Sequence, residues 1–242
     1  MQSARPKPLH LLCGRPMIRY VMETLEALDI ESTVVVVGYE AEAVAKALHE
    51  HAADPTRVNF AEQIIQRGTG DAVYVGLGAY EPRELDDENF DLIVLPGDTP
   101  LLTSSTLIAL HREHVDSRAA ATLLTAKLEN PSGYGRVVRD EQGQIDRIIE
   151  HADATTAELE ILEVNASIYC FDRSALVGAL EKVDSQNAQG EYYLTDVIKV
   201  LRDTGHSIAA LTTDDPDEVR GVNDRRQLAE CEAVMRQRTN NK

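Results

Sequence analysis

Cysteine is scarce in this chain. Its 242 residues include three, Cys13, Cys170 and Cys231, odd in number, far apart and without a Cys-x-x-Cys pair. That spacing argues against a disulfide framework or a zinc site. Cys170, inside the apolar run Ser167–Phe171, suits a small core residue. The seven histidines form no metal-ligand pattern, and His111 and His114, which share a helix face, are expected on a solvated surface. Positive charge is short as well: 24 Lys and Arg stand against 41 Asp and Glu, a net charge of -17. A surface this acidic repels nucleic-acid phosphates, which excludes a DNA- or RNA-binding role. A nucleoside triphosphate would be repelled too, unless local cations or backbone N–H groups receive it. Arg5, Lys7 and Arg15 are the obvious basic cluster, although composition alone equally allows a solvated patch. No apolar run approaches the ~18 residues of a membrane span, and no apolar h-region follows the first residues. A cytoplasmic protein without membrane partners is expected.

An apolar content of 43% is ample for a buried core. The most informative segment is Leu95-Pro96-Gly97-Asp98-Thr99-Pro100-Leu101-Leu102. Asp91–Leu95 reads as a buried strand, and Thr103 caps a helix over Ser104–His114. Asp98 therefore stands at the C-terminal tip of a central strand, where open α/β sheets bind ligands. A lone carboxylate there, beside a turn that lets substrate approach the backbone, suits a hard cation such as Mg2+ bridging phosphates. A plain tight turn before a helix fits the tetrapeptide equally well.

Along the chain, Ile18, Val21, Met22, Leu25 and Leu28 form one helical stripe after Pro16. Thr33–Val37 is a β-branched run typical of a strand covered on both faces. Ala41–His49 reads as a helix, Val58–Phe60 as a strand and Asp71–Leu77 as a helix, the alternation of a doubly wound parallel sheet. Beyond residue 118 the pattern turns to strands at Ala120–Leu128, Gly135–Arg139, Gln144–Glu150 and Val164–Phe171. A hairpin is expected at Glu141-Gln142-Gly143. Helices follow at Arg173–Val183 and Tyr193–Asp203, a strand at Ser207–Thr212 and a closing helix at Asp224–Arg238.

A series of short motifs completes the picture. Pro6-Lys7-x-Leu9-His10-x-Leu12 precedes Gly14-Arg15-Pro16-Met17. Gln63-x-x-Gln66-x-Gly68-Thr69-Gly70-x-Ala72, Gly133-Tyr134-Gly135-Arg136, Glu150-His151-x-Asp153-Ala154, Glu163-Val164-Asn165, Gln189–Asp196 and Gly221-Val222-Asn223 follow. In this order and spacing they resemble sugar-1-phosphate nucleotidyltransferases. Within that group they are similar to the uridylyltransferase domain of bacterial bifunctional N-acetylglucosamine-1-phosphate uridylyltransferase/glucosamine-1-phosphate acetyltransferases.

The resemblance implies a Rossmann-like, GT-A-like α/β fold, a mixed sheet with helices on both faces. Met1 falls on the last residue of the family's glycine-rich signature loop, so the first strand, that loop and its arginine are expected to be missing. Strands 33–37 and 91–95 would then flank the absent one, and little activity is expected of the chain alone. A nucleotidyltransferase domain over 1–223 is expected. Residues 224–242 would hold the closing helix and the start of a linker toward an acetyltransferase β-helix, and a homotrimer is expected only where that domain is present.

The implied reaction transfers a uridylyl group from UTP to N-acetylglucosamine 1-phosphate for cell-wall (peptidoglycan) precursor synthesis, with Mg2+. Alternatives are a nucleotide-sugar-binding module without turnover and a nucleotidyltransferase for another sugar phosphate. By resemblance, Lys7 and Asp98 are catalytic, and Asp98 and Asn223 hold the metal. Lys7, Gly97 and Asn223 also bind substrate, Gln63, Gly68 and Thr69 face the uracil, and Gly135, Glu150 and Asn165 face the sugar. Asn223 and Thr69 are equally plausible helix caps, and Glu150 could be an exposed charge at a strand end. Two departures stand out: Asn165-Ala166-Ser167 replaces the family's Asn-Thr-Gly, and Pro96 precedes Gly-Asp.

Overall fold

A computed structural model describes residues 5–38, 40–49, 54–80 and 90–240. Met1 and the last two residues therefore lie outside it. The first described elements form a hairpin. Cys13 (φ 48°) and Gly14 (φ 82°) both adopt the left-handed backbone of a two-residue turn. They join Leu11–Leu12 (β1) to Arg15–Pro16 (β2). Pro16 caps Met17–Leu25 (α1), which buries Met17, Ile18, Val21 and Thr24.

Thr33–Val37 (β3) and Val58–Glu62 (β4) pair in parallel, with Ala41–His49 (α2) between them in sequence. The β-branched run of β3 is covered on both faces, as its sequence suggests. Val34 and Val36 lie toward Gly76 of Thr69–Leu77 (α3), while Val35 and Val37 pack with α1 and α2. Four of its five residues are nonetheless only half-buried. On its edge away from β4, β3 pairs with no strand among the described residues.

Among the described residues, Asp91–Val94 (β5) pairs only with a later strand, antiparallel. The hydrogen-bonded sheet is thus divided between β3 and β5, the place where the sequence reading left out a strand. Leu95, just past β5, still packs with Ile18, Val35 and Val37, so the two parts share an apolar seam.

The larger sheet contains β5, Ala121–Lys127 (β6), Arg136–Arg139 (β7), Ile145–Ile149 (β8), Glu163–Asp172 (β9) and Ile208–Thr212 (β10). Its order is β10-β6-β9-β7-β8, with β5 also on β9. β10 and β6 are parallel, and the other pairs are antiparallel. β7 and β8 form the expected hairpin: Asp140 Oδ1 accepts from Gln142 and Gln144 N–H, and Gly143 sits at φ 79°. In β9, the register against β6 slips between Leu123 and Thr125, and Ser167 in that bulge has φ 59°.

Helices cover both faces. Ser104–Ser117 (α4) starts at Thr103, whose hydroxyl accepts from Thr106 N–H. Its Leu107 and Leu110 pack on Leu124, Ile168 and Cys170. On the opposite face, Arg173–Leu180 (α6) and Asp196–Asp203 (α7) bury Leu176, Val197, Ile198 and Leu201 against Leu123, Tyr169 and Phe171; the short Thr156–Leu159 (α5) lies before β9. Each fully buried Leu, Ile or Phe contributes about 1.5–3 kcal/mol. The closing helix Arg225–Asn240 (α8) packs Cys231 with Leu12, Met17, Leu101 and Val222, and Arg238 donates to Leu101 O at 2.6 Å.

Three expectations are corrected. α3 begins at Thr69 rather than Asp71, with Gly68 in the capping position. α7 begins at Asp196 rather than Tyr193, because the residues before it bond to other segments. His114 is not on a solvated surface: its side chain is 4% exposed against 44% for His111, since α4 turns it toward Thr122 of β6. Among the described residues no helix is long and apolar enough to cross a membrane.

Candidate functional site

Three residues from distant segments meet beyond the end of β5. The Lys7 ammonium donates to Asp98 Oδ2 and, at 2.6 Å, to Asn223 Oδ1. The Asp98 turn is held from behind by Val222 N–H, which donates to Asp98 O at 3.0 Å. Gly97 lets this turn lie against α1, since a Cβ there would come 3.1 Å from Ile18 Cδ1. Gly221 leaves similar room, its Cβ position lying 3.9 Å from both Asn223 Nδ2 and Asp98 Oδ1.

The cap question at Asn223 is resolved by its neighbours. Asp224 Oδ1 accepts from Gln227 N–H, and Gln227 Oε1 accepts from the N–H groups of Asn223 and Asp224. Asp224 is the cap of α8, and the Asn223 side chain is turned to Lys7 instead. Two oxygen atoms from segments far apart in the sequence thus face one positive charge. Arg15 of the expected basic cluster goes elsewhere: it pairs with Glu23 and lies over the Tyr20 ring, 4.9 Å from its centroid.

A second group forms around the start of α3. Gln63 follows β4 and is nearly buried, donating to Gly68 O at 3.2 Å and Asp71 Oδ2 at 2.7 Å. Gly68 has φ 113°, and a Cβ there would sit 2.5 Å from Tyr192 O. Gly70 N–H donates to Tyr192 O at 2.8 Å, and Tyr192 N–H to Arg67 O at 2.7 Å. Thr69 does not cap α3; its hydroxyl accepts from Leu194 N–H at 3.0 Å.

The same 192–195 segment reaches the third group, because Thr195 donates to Glu150 Oε1 at 3.0 Å. Gly135 lies beside that carboxylate, its Cβ position 3.6 Å from Glu150 Oε2, and its carbonyl accepts from Asn165 N–H at 2.9 Å. Asn165 is buried; its amide donates to Tyr169 OH at 2.6 Å, while its Oδ1 has no hydrogen-bond partner among the described residues. Burial raises the Glu150 pKa, with Thr195 opposing the shift, so this carboxylate is not the exposed strand-end charge that sequence alone allowed. Burial pushes Asp196 up to about 6, helped by the charges of Asp184, Glu150 and Asp153. Tyr134, beside Gly135, donates to Val219 O at 3.3 Å and so ties this group to the strand-end site.

The catalytic, metal and substrate residues expected by resemblance all fall into these three groups. Thr195, Tyr169 and Asp71 carry contacts that the sequence reading did not assign. Thr195 lay within the Gln189–Asp196 motif, the signal that could have marked it. Tyr169 and Asp71 gave none, since their partners are fixed by the β9 bulge and the α3 start.

The chain matches the nucleotidyl transferase family over residues 2–216. It is 45% identical over 240 residues to the bifunctional protein GlmU of Shouchella clausii and, to the same degree, to that of Halalkalibacterium halodurans, covering 99% of this chain and 50% of each relative. The chain therefore spans about half the length of these relatives. Its fold is also similar to CMP:2-keto-3-deoxy-manno-octonic acid synthetase complexed with CTP, at TM-score 0.70 and 18% identity over 98% of this chain and 95% of that one. HddC from Yersinia pseudotuberculosis complexed with GMP-PN gives TM-score 0.64 and 16% identity over 97% and 92%. With a match over nearly its whole length and a mixed α/β sheet flanked by helices, this chain belongs to the nucleotidyl transferase family.

Proposed function

We propose that the chain is a nucleotidyltransferase domain that transfers a uridylyl group from UTP to N-acetylglucosamine 1-phosphate, releasing pyrophosphate. The observation that carries this reading is the convergence of Asp98 and Asn223 on one cation, the Lys7 ammonium. The GlmU relatives support the choice of substrates. In the reaction an oxygen of the sugar phosphate attacks the α-phosphorus of UTP, a P–O bond forms, and the bond to the β-phosphate breaks. Both reactants are anions, so positioning and charge neutralisation carry the rate.

The donor set fits a hard divalent ion: a carboxylate and an amide oxygen already directed at a single positive charge. Asp98 and Asn223 would hold Mg2+, which supplies charge neutralisation between the two phosphates when bound. Lys7 adds an ammonium to the same region. Gln63 and the backbone at Gly68 and Thr69 are the surface for uracil, where an amide can read both donor and acceptor edges and a glycine permits close approach. Glu150, Asn165 and the Gly135 backbone are the surface for the acetamido sugar. The unpartnered Asn165 Oδ1 is ready to accept from a ligand N–H or O–H, and satisfying a buried acceptor removes a penalty of about 1–3 kcal/mol.

The test is pyrophosphate release from UTP with N-acetylglucosamine 1-phosphate, compared with glucose 1-phosphate and with CTP, by the chain carrying a restored N-terminal strand and glycine-rich loop. The paired substrates should be preferred, and Asp98→Asn should abolish release. Equal turnover of the alternative pairs, or an active Asp98→Asn protein, would count against the assignment.

A further inference from the structure

Asp91 opens β5, and Asp98 lies beyond its other end. The strand Asp91–Val94 and the Gly97-Asp98 turn beyond it place the two carboxylates at opposite ends of β5. Around Asp91 the fold assembles a second, chemically different group. Asp91 Oδ1 is 3.4 Å from His114 Nε2, and Asp91 Oδ2 is 3.2 Å from His111 Nε2. His114 Nδ1 is bonded to Thr122 Oγ1 at 2.9 Å, which fixes the ring and leaves Nε2 turned toward the carboxylate. Cys170 is the third member: one ligand atom each from Asp91, His114 and Cys170 all lie within 4.8 Å of one another.

We propose that Asp91, His114 and Cys170 form a transition-metal site of zinc type, distinct from the cation position between Asp98 and Asn223. The ligands are one carboxylate oxygen, one imidazole nitrogen and one thiolate, a borderline-soft set that Zn2+ favours and Mg2+ does not. They come from β5, α4 and β9, three elements whose packing already brings the atoms near ligand–ligand separation. The Thr122 hydroxyl on Nδ1 is the outer partner that a metal-bound histidine needs to hold its orientation. His111, against the second Asp91 oxygen, orients the carboxylate or supplies a fourth ligand. An open cleft of about 480 Å³ brings solvent to Asp91 and His114, with Asp172, Ser174 and His206 also in its lining, while Cys170 lies buried behind them.

Protonation agrees with this geometry. Burial lowers the His114 pKa, so the ring is held neutral and can offer a lone pair. Burial raises the Cys170 thiol, which stays protonated until a metal displaces the proton. On binding, the S–H bond breaks, an S–metal bond forms, and the proton leaves to buffer.

The experiment titrates tag-free, dialysed protein with ZnCl2 or CoCl2 in the presence of saturating Mg2+. A single Zn2+ should bind per chain and raise the melting temperature. The Co2+ form should show a thiolate-to-metal charge-transfer band. That band should persist in Cys13→Ser and in Asp98→Asn, and disappear in Cys170→Ser and His114→Gln. A wild-type protein without the band, or a band that survives Cys170→Ser, overturns the proposal. Should the buried substitutions fail to fold, X-ray absorption of zinc-loaded wild-type protein decides instead: one sulfur in the metal shell supports the site, and a shell of oxygen and nitrogen alone rejects it.

Discussion

Lys7 and Asn223 lie 216 positions apart and are joined at 2.6 Å through the Lys7 ammonium and Asn223 Oδ1. The same ammonium holds Asp98, 91 positions from Lys7. Three segments that share no local structure are therefore locked around one charge. A chance turn does not need such an arrangement, whereas a cation site does. In a full-length version, Asp98→Ala should lower uridylyl transfer by about 100-fold or more, the scale on which a preorganised electrostatic group acts. Its thermal melting should change little, because this ion pair is part-exposed and such pairs contribute little to stability. Steady-state rates and a melting curve on the same sample check both halves, and retained activity would remove Asp98 from the chemistry.

Asn165→Ala should separate the two substrates. Its side chain belongs to the group around Glu150 and Gly135, apart from Gln63 and Gly68. KM for N-acetylglucosamine 1-phosphate should rise about tenfold or more, as expected when a hydrogen bond of roughly 1.4 kcal/mol is lost. KM for UTP should be nearly unchanged. A parallel rise in both constants would show that Asn165 acts by supporting the fold.

Ser167 offers a stability test. Its φ of 59° places a side-chain-bearing residue in left-handed backbone, which costs about 1–2 kcal/mol for an L-residue and little for glycine. Ser167→Gly also loosens the unfolded chain and removes a hydroxyl that bonds to the buried Tyr169, effects that offset part of the gain. Urea unfolding should show a net gain of up to about 1 kcal/mol. A loss of stability would mean that the hydroxyl contributes more than the backbone strain.

At Gly68 the same argument runs in reverse. A Cβ would meet Tyr192 O at 2.5 Å and Tyr192 N at 2.9 Å, backbone atoms that cannot rotate away. Gly68→Ala should destabilise the protein by about 1–3 kcal/mol and weaken UTP binding, because the 67–70 and 192–194 segments must separate. Unchanged melting would show that the loop yields more easily than its hydrogen bonds suggest.

Asp196 predicts a pH effect. Its pKa is raised from 3.8 to about 6, first by burial and then by Asp184, Glu150 and Asp153. Between these values the folded protein keeps a proton that the unfolded chain has lost. The stabilising contribution is complete below pH 3.8 and is lost as pH rises through about 6. Asp196→Asn should therefore be more stabilising at pH 7 than at pH 4. Chemical denaturation at the two values decides it, and an equal effect at both would mean that the carboxyl titrates normally.

The local pattern carried much of this protein. The Thr103 cap, the Asp140–Gly143 hairpin turn and the strand ending before Asp98 were legible because each depends on a few adjacent residues and fixed backbone requirements. Element ends were less so. α7 starts late because Thr195 is bonded to Glu150 and Leu194 to Thr69, contacts between segments that no helical period can reveal. His114 was misplaced for a related reason: periodicity shows that His111 and His114 share a face, but not that packing on β6 buries one and leaves the other in water.

By itself, the sequence determined the alternation of strands and helices, the acidic surface and the residue types available for a hard cation and for a sugar. These follow from side-chain chemistry and near-neighbour sterics. Tertiary structure alone decided that Asp98 and Asn223 face one ammonium, that Asp224 rather than Asn223 caps α8, and that Asp91, His114 and Cys170 share one place. Those outcomes depend on which distant surfaces bury each other, a choice made by packing free energy summed over the whole core.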